Sequence, residues 1–249
     1  MFTELYPAMR AHAQRVLPQE SCGMVLKGAH GAEYAPCDNI AADPRISFNI
    51  ADEMLLAALK NNIVLAIVHS HPAPHDAAPS ACDMRSQIAM DVPWAIVPVA
   101  STGEAANPFW WGSTVPMLPL LDREYRHGVT DCYALVRDWY KQERGIHLRD
   151  YPREFEWWNA PSQPDLYRHN VAKWGFVEVD MSEAQTGDVL LMQIRSRVIN
   201  HAAVQCEPGI LIHHLGSQSA YDPSVRSSRE NAARWMPFVK KVVRYKEAL

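Results

Sequence analysis

The sequence predicts two consecutive domains, each a mixed α/β fold in which helices pack against a sheet. Three observations lead to this prediction. Short apolar runs rich in β-branched residues alternate with stretches of helical periodicity in both halves of the chain. A chain of 249 residues has room for two domains of ordinary size. Residues 106–119 contain prolines and lack periodicity, which indicates a linker between a domain at 1–105 and a second at 120–249.

The overall composition is that of an ordinary globular chain, with 48% hydrophobic and 21% charged residues. A net charge of −4 gives no reason to expect nucleic-acid binding. The five cysteines are an odd number without framework spacing, which favours folding in a reducing cytoplasm. The first residues lack the basic start and apolar core of a signal peptide, and no apolar run approaches 18 residues. We therefore expect neither a signal peptide nor a membrane span.

The first half carries its clearest pattern just after the apolar run at 63–68. That run predicts a buried strand because it is short and rich in β-branched residues. His69 and His71 follow at its end, and strand side chains alternate between faces, so both imidazoles should lie on the same side. Residues 73–79 contain two prolines and predict a loop, and a helix is expected to begin at Ser80.

Asp83 lies one helical turn after Ser80. Two histidines one residue apart and a carboxylate can form a zinc site with three protein ligands, here His69, His71 and Asp83. The fourth position is then left for water, which distinguishes catalytic zinc from structural zinc. The alternative is that Ser-x-x-Asp is only a helix N-cap with an acid in the first turn. The serine can serve both purposes.

The pattern His-Ser-His-Pro-x7-Ser-x2-Asp in this segment resembles the signature of the JAMM metalloproteases of the MPN domain family. The resemblance implies an MPN-like mixed sheet with flanking helices and a zinc-dependent peptidase or isopeptidase. It implies that His69, His71 and Asp83 bind Zn²⁺. It also implies that Glu20 takes a proton from the zinc-bound water and that Ser80 stabilises the oxyanion. Without this resemblance, a glutamate before an apolar run is usually an exposed loop residue.

In the second half, Cys132 follows Thr130 and Asp131, either of which can cap a helix. Apolar residues then recur at helical spacing, which places the thiol in the first turn. We expect its pKa to lie below the free value of about 8.5, because backbone N–H groups and the helix dipole favour the thiolate. The alternative is a buried structural cysteine.

Two short strands are predicted on either side of the turn-rich segment 206–209. A hairpin folded about Glu207 places His201 directly opposite His213, with both imidazoles on one face and His214 on the other. A base in contact with an orienting group is the arrangement that a cysteine nucleophile requires. The paired spacing therefore favours a catalytic role over two unrelated histidines.

These residues resemble the NlpC cysteine-peptidase family, papain-like enzymes that cut the peptide stems of bacterial cell walls. The shared features are Asp-Cys at a helix start, a turn into a central strand at 186–192, and the two histidines. The resemblance implies a papain-like domain with an antiparallel sheet and an N-terminal catalytic helix. Cys132 would be the nucleophile, His201 the general base and His213 the group that orients it. A supporting tyrosine, such as Tyr125, is left open. Tyrosine and alanine follow the cysteine where the family commonly has serine and glycine, which leaves substrate selectivity open.

The order of the two domains resembles tail assembly proteins of lambda-like bacteriophages over essentially the full chain. The resemblance implies phage tail tip proteins and peptidoglycan stem peptides as partners. It implies assembly in the host cytoplasm and action in the host periplasm or cell wall, and it leaves open whether the protein stays at the tail tip of the virion. Two other interpretations stay open: a structural assembly factor with one or both sites inactive, and a protease that processes tail proteins. The matching strings are Glu20–Gly23, Val68–Pro72, His127–Tyr133 and Asn200–Ala203.

Overall fold

The structure, a computed structural model, forms two compact units, Met1–Pro116 and Met117–Leu249, each with its own sheet. The predicted fold class, two mixed α/β domains, is confirmed. The chain is described over residues 1–61, 63–112, 114–160 and 165–246. No helix in these ranges is both long enough and apolar enough to cross a bilayer.

The first unit has a mixed sheet with strand order β2-β1-β3-β4-β5. Strands β3 and β4 run parallel, and the other neighbours are antiparallel. Its elements in chain order are α1 (Tyr6–Arg15), β1 (Cys22–Gly28), β2 (Gly31–Cys37), α2 (Asp52–Lys60), β3 (Val64–Pro72), α3 (Ala81–Met90), β4 (Trp94–Val99) and β5 (Phe109–Trp111).

Strand β3 is longer than the sequence predicts, because it continues through both histidines to Pro72. His69 lies opposite Cys22 of β1, and the parallel pairing with β4 extends to the pair Pro72 and Val99. The two histidines are therefore held on a central strand with neighbours on both sides. This placement gives their side chains a rigid support.

The end of the first unit differs from the prediction. Strand β5 pairs with β4 as an edge strand and lies within the predicted linker 106–119. Three residues are too few to show an alternating pattern in the sequence. The strand is nevertheless held by packing, since the rings of Trp111 and Trp94 lie 6.1 Å apart.

The second unit has a six-stranded antiparallel sheet with the order β12-β10-β9-β8-β13-β7 and a separate pair, β6 and β11. Its elements are β6 (Glu124–Arg126), α4 (Cys132–Arg144), α5 (Leu166–Asn170), β7 (Phe176–Val179), β8 (Val189–Met192), β9 (His201–Glu207), β10 (Ile210–His213), β11 (Tyr221–Arg226), β12 (Ser228–Asn231) and β13 (Val239–Tyr245).

Helix α4 packs its apolar stripe on one face of this sheet, where Leu135 and Trp139 share a buried cluster with Val204. A second cluster, which includes Leu211 and Trp235, covers the opposite face. The sheet is therefore buried on both sides at its centre, which explains why β8 is entirely apolar.

The hairpin of β9 and β10 forms, but the predicted register is wrong. His213 lies opposite Ala203 and not opposite His201, because Glu207 pairs with Ile210 and the turn is centred on residues 208–209 and not on Glu207. The register also shifts by one residue between Ile210 and Leu211, and an irregularity of this kind cannot be counted from the turn alone. Residues 201 and 203 share a face, so the two imidazoles become diagonal neighbours and still meet.

Candidate active sites

The first candidate site lies between β3 and α3. The Nε2 atoms of His69 and His71 are 3.1 Å apart, and Asp83 lies 3.4 Å (Oδ1) from His69 Nε2 and 3.7 Å (Oδ2) from His71 Nε2. All three residues are buried and form a group that can hold a metal ion. Zinc bonds of about 2.0–2.2 Å in a tetrahedron separate the ligand atoms by roughly 3.3–3.6 Å. The closest approaches of the three side chains, 3.1–3.7 Å, are similar to these separations.

Ser80 caps α3 and also positions Asp83. The Ser80 hydroxyl accepts a hydrogen bond from Asp83 N (3.1 Å) and donates one to Asp83 Oδ2 (2.7 Å). The Ser80 amide donates to the same carboxylate oxygen at 2.8 Å. The two sequence-based alternatives, helix cap and metal ligand, are thus combined in one arrangement. The cap fixes the carboxylate while Oδ1 faces His69.

Both histidines direct Nε2 into the site. His71 Nδ1 contacts the carbonyl of Asp76 at 2.7 Å, and a donor at Nδ1 leaves the Nε2 lone pair for a metal. Phe48 stacks on His69 with ring centroids 4.5 Å apart, and His69 Nδ1 has no hydrogen-bond partner among the described residues. Burial lowers the pKa of His71 to about 4. This imidazole is therefore neutral at neutral pH, as ligation requires.

Glu20 lies two residues before β1 and faces the same site, with Oε1 4.0 Å from His71 Nε2. Its amide donates to Pro44 O at 2.7 Å, and Asn39 donates to its carbonyl at 3.0 Å. The following amide donates to Ser70 Oγ at 2.7 Å, which ties this segment to β3. The side chain is buried, and burial raises the pKa of Glu20 to about 7. The glutamate is therefore buried beside His71 and is not an exposed loop residue.

The second candidate site surrounds Cys132, the first residue of α4, as predicted. Asp131 is the N-cap, and its carboxylate accepts hydrogen bonds from Ala134 N (2.9 Å) and Gly128 N (2.7 Å). The Tyr167 hydroxyl lies 3.4 Å from the sulfur. These contacts fix the start of the helix and with it the position of the thiol.

The expectation of a lowered thiol pKa is wrong. Burial raises the pKa of Cys132, and the Asp131 carboxylate raises it further. The helix N-terminus favours an anion by about 0.3–1 kcal/mol at an exposed position. Burying a thiolate next to a carboxylate outweighs that effect. The thiol is therefore protonated at rest and needs a neighbouring base.

The predicted pair of histidines is in contact. His201 Nε2 lies 3.0 Å from His213 Nδ1, so Nδ1 of His201 is the ring nitrogen that takes no part in this contact. Burial lowers the pKa of His201 well below its ordinary value and also lowers that of His213. Both rings are therefore neutral at neutral pH. Trp235 packs edge-on against His213, with centroids 4.7 Å apart.

A cavity of about 610 Å³ joins Cys132 to His201. Tyr125, the tyrosine that the sequence left open, is buried in its wall. His214 leaves the histidine pair and contacts the carbonyl of Thr130, as its position on the other face predicts. A cavity of this size accommodates a short peptide segment or a small ligand. Other lining residues are Trp157, Trp158, Leu166, Arg195, Leu215, Ser217 and Phe238.

Arg153 is a buried residue of this site that sequence reasoning missed. Its guanidinium donates to both carboxylate oxygens of Asp131, at 2.7 and 2.9 Å. It also donates to Asp150 at 2.9 Å. The pairing keeps the pKa of Asp131 below its ordinary value although the carboxylate is buried. Arg153 therefore stabilises the cap on which Cys132 depends.

Replacing Arg153 by methionine is expected to destabilise the second unit by about 3–5 kcal/mol, because Asp131 would be left as a buried carboxylate without a counterion. Hydrogen exchange read on peptides of the second unit measures this change. The matched control is Arg229→Met, which removes an exposed partner of Glu207 and should leave exchange unchanged. Equal protection in Arg153→Met and wild type would contradict the assigned role.

Several other site residues carry no recognisable signal in the sequence. Asn39 and Phe48 belong to an irregular segment before α2, and Glu230 lies on the edge strand β12. No sequence motif of characteristic spacing links any of them to the residues it contacts. Glu230 reaches His213 through the pairing of β12 with β10, which the sequence analysis did not predict.

Comparison with known proteins agrees with this geometry. A family model of the prokaryotic homologs of the JAB domain matches residues 2–112, and a model of the NlpC/P60 family matches residues 106–242. The solution structure of a protein from Desulfitobacterium hafniense is 27% identical and covers 43% of this chain and 77% of its own, with a TM-score of 0.32, which is too low to add to the argument.

Two phage proteins are similar over most of the chain. The tail tip assembly protein K of Escherichia phage N15 is 35% identical over 243 residues, which is 96% of this chain and 93% of that protein. The tail tip assembly protein K of Escherichia phage lambda is 39% identical over 167 residues, or 67% of this chain and 77% of its own. The chain therefore belongs to the family of tail tip assembly protein K of lambda-like phages, with a JAB-like unit followed by an NlpC/P60 unit.

Proposed function

We propose that this protein is a two-site hydrolase of phage tail assembly. The second unit cleaves an amide bond in peptidoglycan stem peptides, and the first unit hydrolyses a peptide or isopeptide bond with the help of Zn²⁺. The observation that carries the proposal is that Cys132 and His201 line one cavity, while His213 contacts His201 at 3.0 Å. A nucleophile and a base in one cavity, with a group that orients the base, are the components of acyl transfer.

In the second unit, His201 Nδ1 takes the proton of the Cys132 thiol while the sulfur forms a bond to the scissile carbonyl carbon. The C–N bond then breaks, and His201 returns the proton to the leaving amine. Water hydrolyses the thioester with the same histidine as base and restores the thiol. His213 orients His201 throughout, as the third member of a triad does.

In the first unit, His69, His71 and Asp83 would hold Zn²⁺. When bound, zinc supplies Lewis acidity and lowers the pKa of its water ligand to about 7. Glu20 would accept the proton of the attacking water, and its buried carboxylate, with Oε1 4.0 Å from His71 Nε2, supports this role. Ser80 would stabilise the oxyanion by turning its hydroxyl from Asp83 towards the substrate.

The phage relatives bear the name tail tip assembly protein, so we propose tail tip proteins as partners in the host cytoplasm. Delivery with the tail would bring the second unit to the wall peptides in the periplasm. Digestion of purified peptidoglycan, followed by mass spectrometry of the fragments, tests the substrate class. We expect new stem-peptide termini with wild type and with Glu20→Gln, but not with His201→Ala. Fragments that do not depend on His201 would contradict the proposal.

Complementation of a phage that lacks this gene distinguishes a purely structural role from the proposed hydrolase. A purely architectural protein would build infectious particles with His201→Ala and Glu20→Gln as well as with wild type. Our proposal predicts that His201→Ala permits tail assembly but reduces infection of cells with an intact wall. If the first unit processes tail proteins, Glu20→Gln would instead leave a tail protein uncleaved, which mass spectrometry of purified tails detects.

A further inference from the structure

Glu230 lies behind the histidine pair and is partly buried on the edge strand β12. Its Oε1 is 3.3 Å from His213 Nε2 and 3.2 Å from the Ser228 hydroxyl. Its Oε2 accepts hydrogen bonds from Trp235 Nε1 at 2.9 Å and from the Arg234 guanidinium at 3.1 Å. Trp and Arg side chains can only donate, so the second oxygen is fixed as an acceptor.

The carboxylate is ionised in this setting. Partial burial raises the pKa of Glu230, but hydrogen bonds from Trp235 and His213 outweigh burial, and the pKa lies below its ordinary value. An ionised carboxylate is purely an acceptor. The contact with His213 therefore requires a proton on His213 Nε2.

The proton on His213 Nε2 determines, one step after another, which ring nitrogens of His213 and His201 carry protons. His213 is neutral and carries one ring proton, so a proton on Nε2 makes its Nδ1 an acceptor. That Nδ1 lies 3.0 Å from His201 Nε2, which must then be the donor. His201 is neutral as well, so its Nδ1 is left with a free lone pair. A lone pair at this atom is what the thiol of Cys132 needs in a base.

We propose that Glu230 is a positioning residue of the cysteine site: it fixes the ring protons of His213 and His201 so that His201 Nδ1 can accept the thiol proton. This role rests on the proposed peptidase function of the second unit. Glu230 also faces the positive charge that forms when His201 takes that proton, and it stabilises this charge through His213. The arrangement extends the three-residue site to a relay of four, Cys132, His201, His213 and Glu230.

The neighbouring charged and titratable groups do not supply a substitute. The pKa of His201 is affected by the charges of His213, His214 and Asp131, and Asp131 is already paired with Arg153. The pKa of His213 is affected by Glu230, His214 and Arg234. Among these groups Glu230 has the one carboxylate in contact with His213.

The variant Glu230→Gln tests the proposal most sharply. Trp235 and Arg234 both donate to Oε2, so the amide oxygen of glutamine should take that place and the amide NH₂ should face His213. His213 Nε2 would then become an acceptor, its proton would move to Nδ1, and the proton of His201 would move to Nδ1. The base would be blocked.

We therefore expect Glu230→Gln to lower kcat on stem peptides by on the order of 10³–10⁴-fold, as reversal of the base tautomer does in a catalytic triad. Glu230→Ala removes the acceptor without imposing the wrong tautomer and should lower kcat by only about 10–100-fold. A merely structural role predicts the opposite order, because glutamine preserves the shape of the side chain. The matched control is Glu207→Gln, an exposed carboxylate of β9, which should leave kcat unchanged.

A measurement without substrate separates this proposal from the proposed function. Nitrogen NMR of ¹⁵N-histidine-labelled full-length protein reports which ring nitrogen carries the proton. We expect His213 to be protonated at Nε2 in wild type and at Nδ1 in Glu230→Gln. If the protonated nitrogen of His213 changes in this way but wild type cleaves no wall peptide, the relay is supported and only the peptidase function is overturned. A wild-type His213 protonated at Nδ1, or a glutamine variant more active than the alanine variant, would overturn the relay.

Discussion

Replacing Cys132 by alanine is expected to lower the rate of stem-peptide cleavage by at least about 10⁴-fold, and by as much as 10⁶-fold. The substitution removes the sulfur that forms the acyl-enzyme bond, and no described neighbour offers a replacement nucleophile. The Tyr167 hydroxyl lies 3.4 Å from the sulfur, but burial holds its pKa well above the ordinary value. Single-turnover cleavage of a purified stem peptide measures the loss.

The control for this experiment is Cys206→Ala. Cys206 is a second, partly buried free cysteine of the same unit, and its Sγ contacts Ile210 O at 3.6 Å outside the Cys132 cavity. We expect this variant to cleave at the wild-type rate. Alkylation of wild type should inactivate it, and peptide mapping should find the modification at Cys132. Residual cleavage by Cys132→Ala within tenfold of wild type would refute a thioester mechanism.

The second large effect is expected at the metal site. Asp83→Ala should reduce bound zinc from about one ion per chain to almost none, because two imidazoles remain of three protein ligands. Metal analysis of protein dialysed against a fixed free zinc concentration measures the stoichiometry. Hydrolysis by the first unit should be lost together with the ion, whereas wall cleavage by the second unit should be unaffected.

Ser80→Ala is the control that separates ligation from helix capping. Both substitutions weaken the cap of α3, with an effect of about 1 kcal/mol on stability. Only Asp83→Ala removes a ligand, so Ser80→Ala should retain zinc near one ion per chain. Unchanged zinc content in Asp83→Ala would refute the ligand set of His69, His71 and Asp83.

The residues with side-chain chemistry were predictable where spacing along one element fixes their geometry. Alternation within a strand places His69 and His71 on one side, and a single helical turn places Asp83 within reach of Ser80. Glu20 was different, because nothing in its local sequence distinguishes a buried base from a loop residue. Its inclusion depended on the family resemblance, and its burial depends on contacts with Asn39 and Pro44.

What could not be predicted depends on contacts between distant elements. The hairpin register required the position of the turn, at residues 208–209, and of the irregularity after Ile210, and the local sequence fixes neither. The thiol pKa required the burial of Cys132 and not only its place in a helix. Arg153 meets Asp131 across 22 residues, and no periodic pattern connects them. Such pairs are formed by tertiary packing, which a local sequence pattern does not predict.

The pairing of β5 with β4 has a practical consequence for dissecting the two activities. A first unit cut after residue 105 would lack Phe109–Trp111 and would present the backbone amides and carbonyls of Trp94–Ile96 to other molecules. Uncovered strands of this kind recruit further copies and lead to aggregation. Excision should therefore keep the chain at least through Trp111, even though residues 106–111 have the composition of a linker.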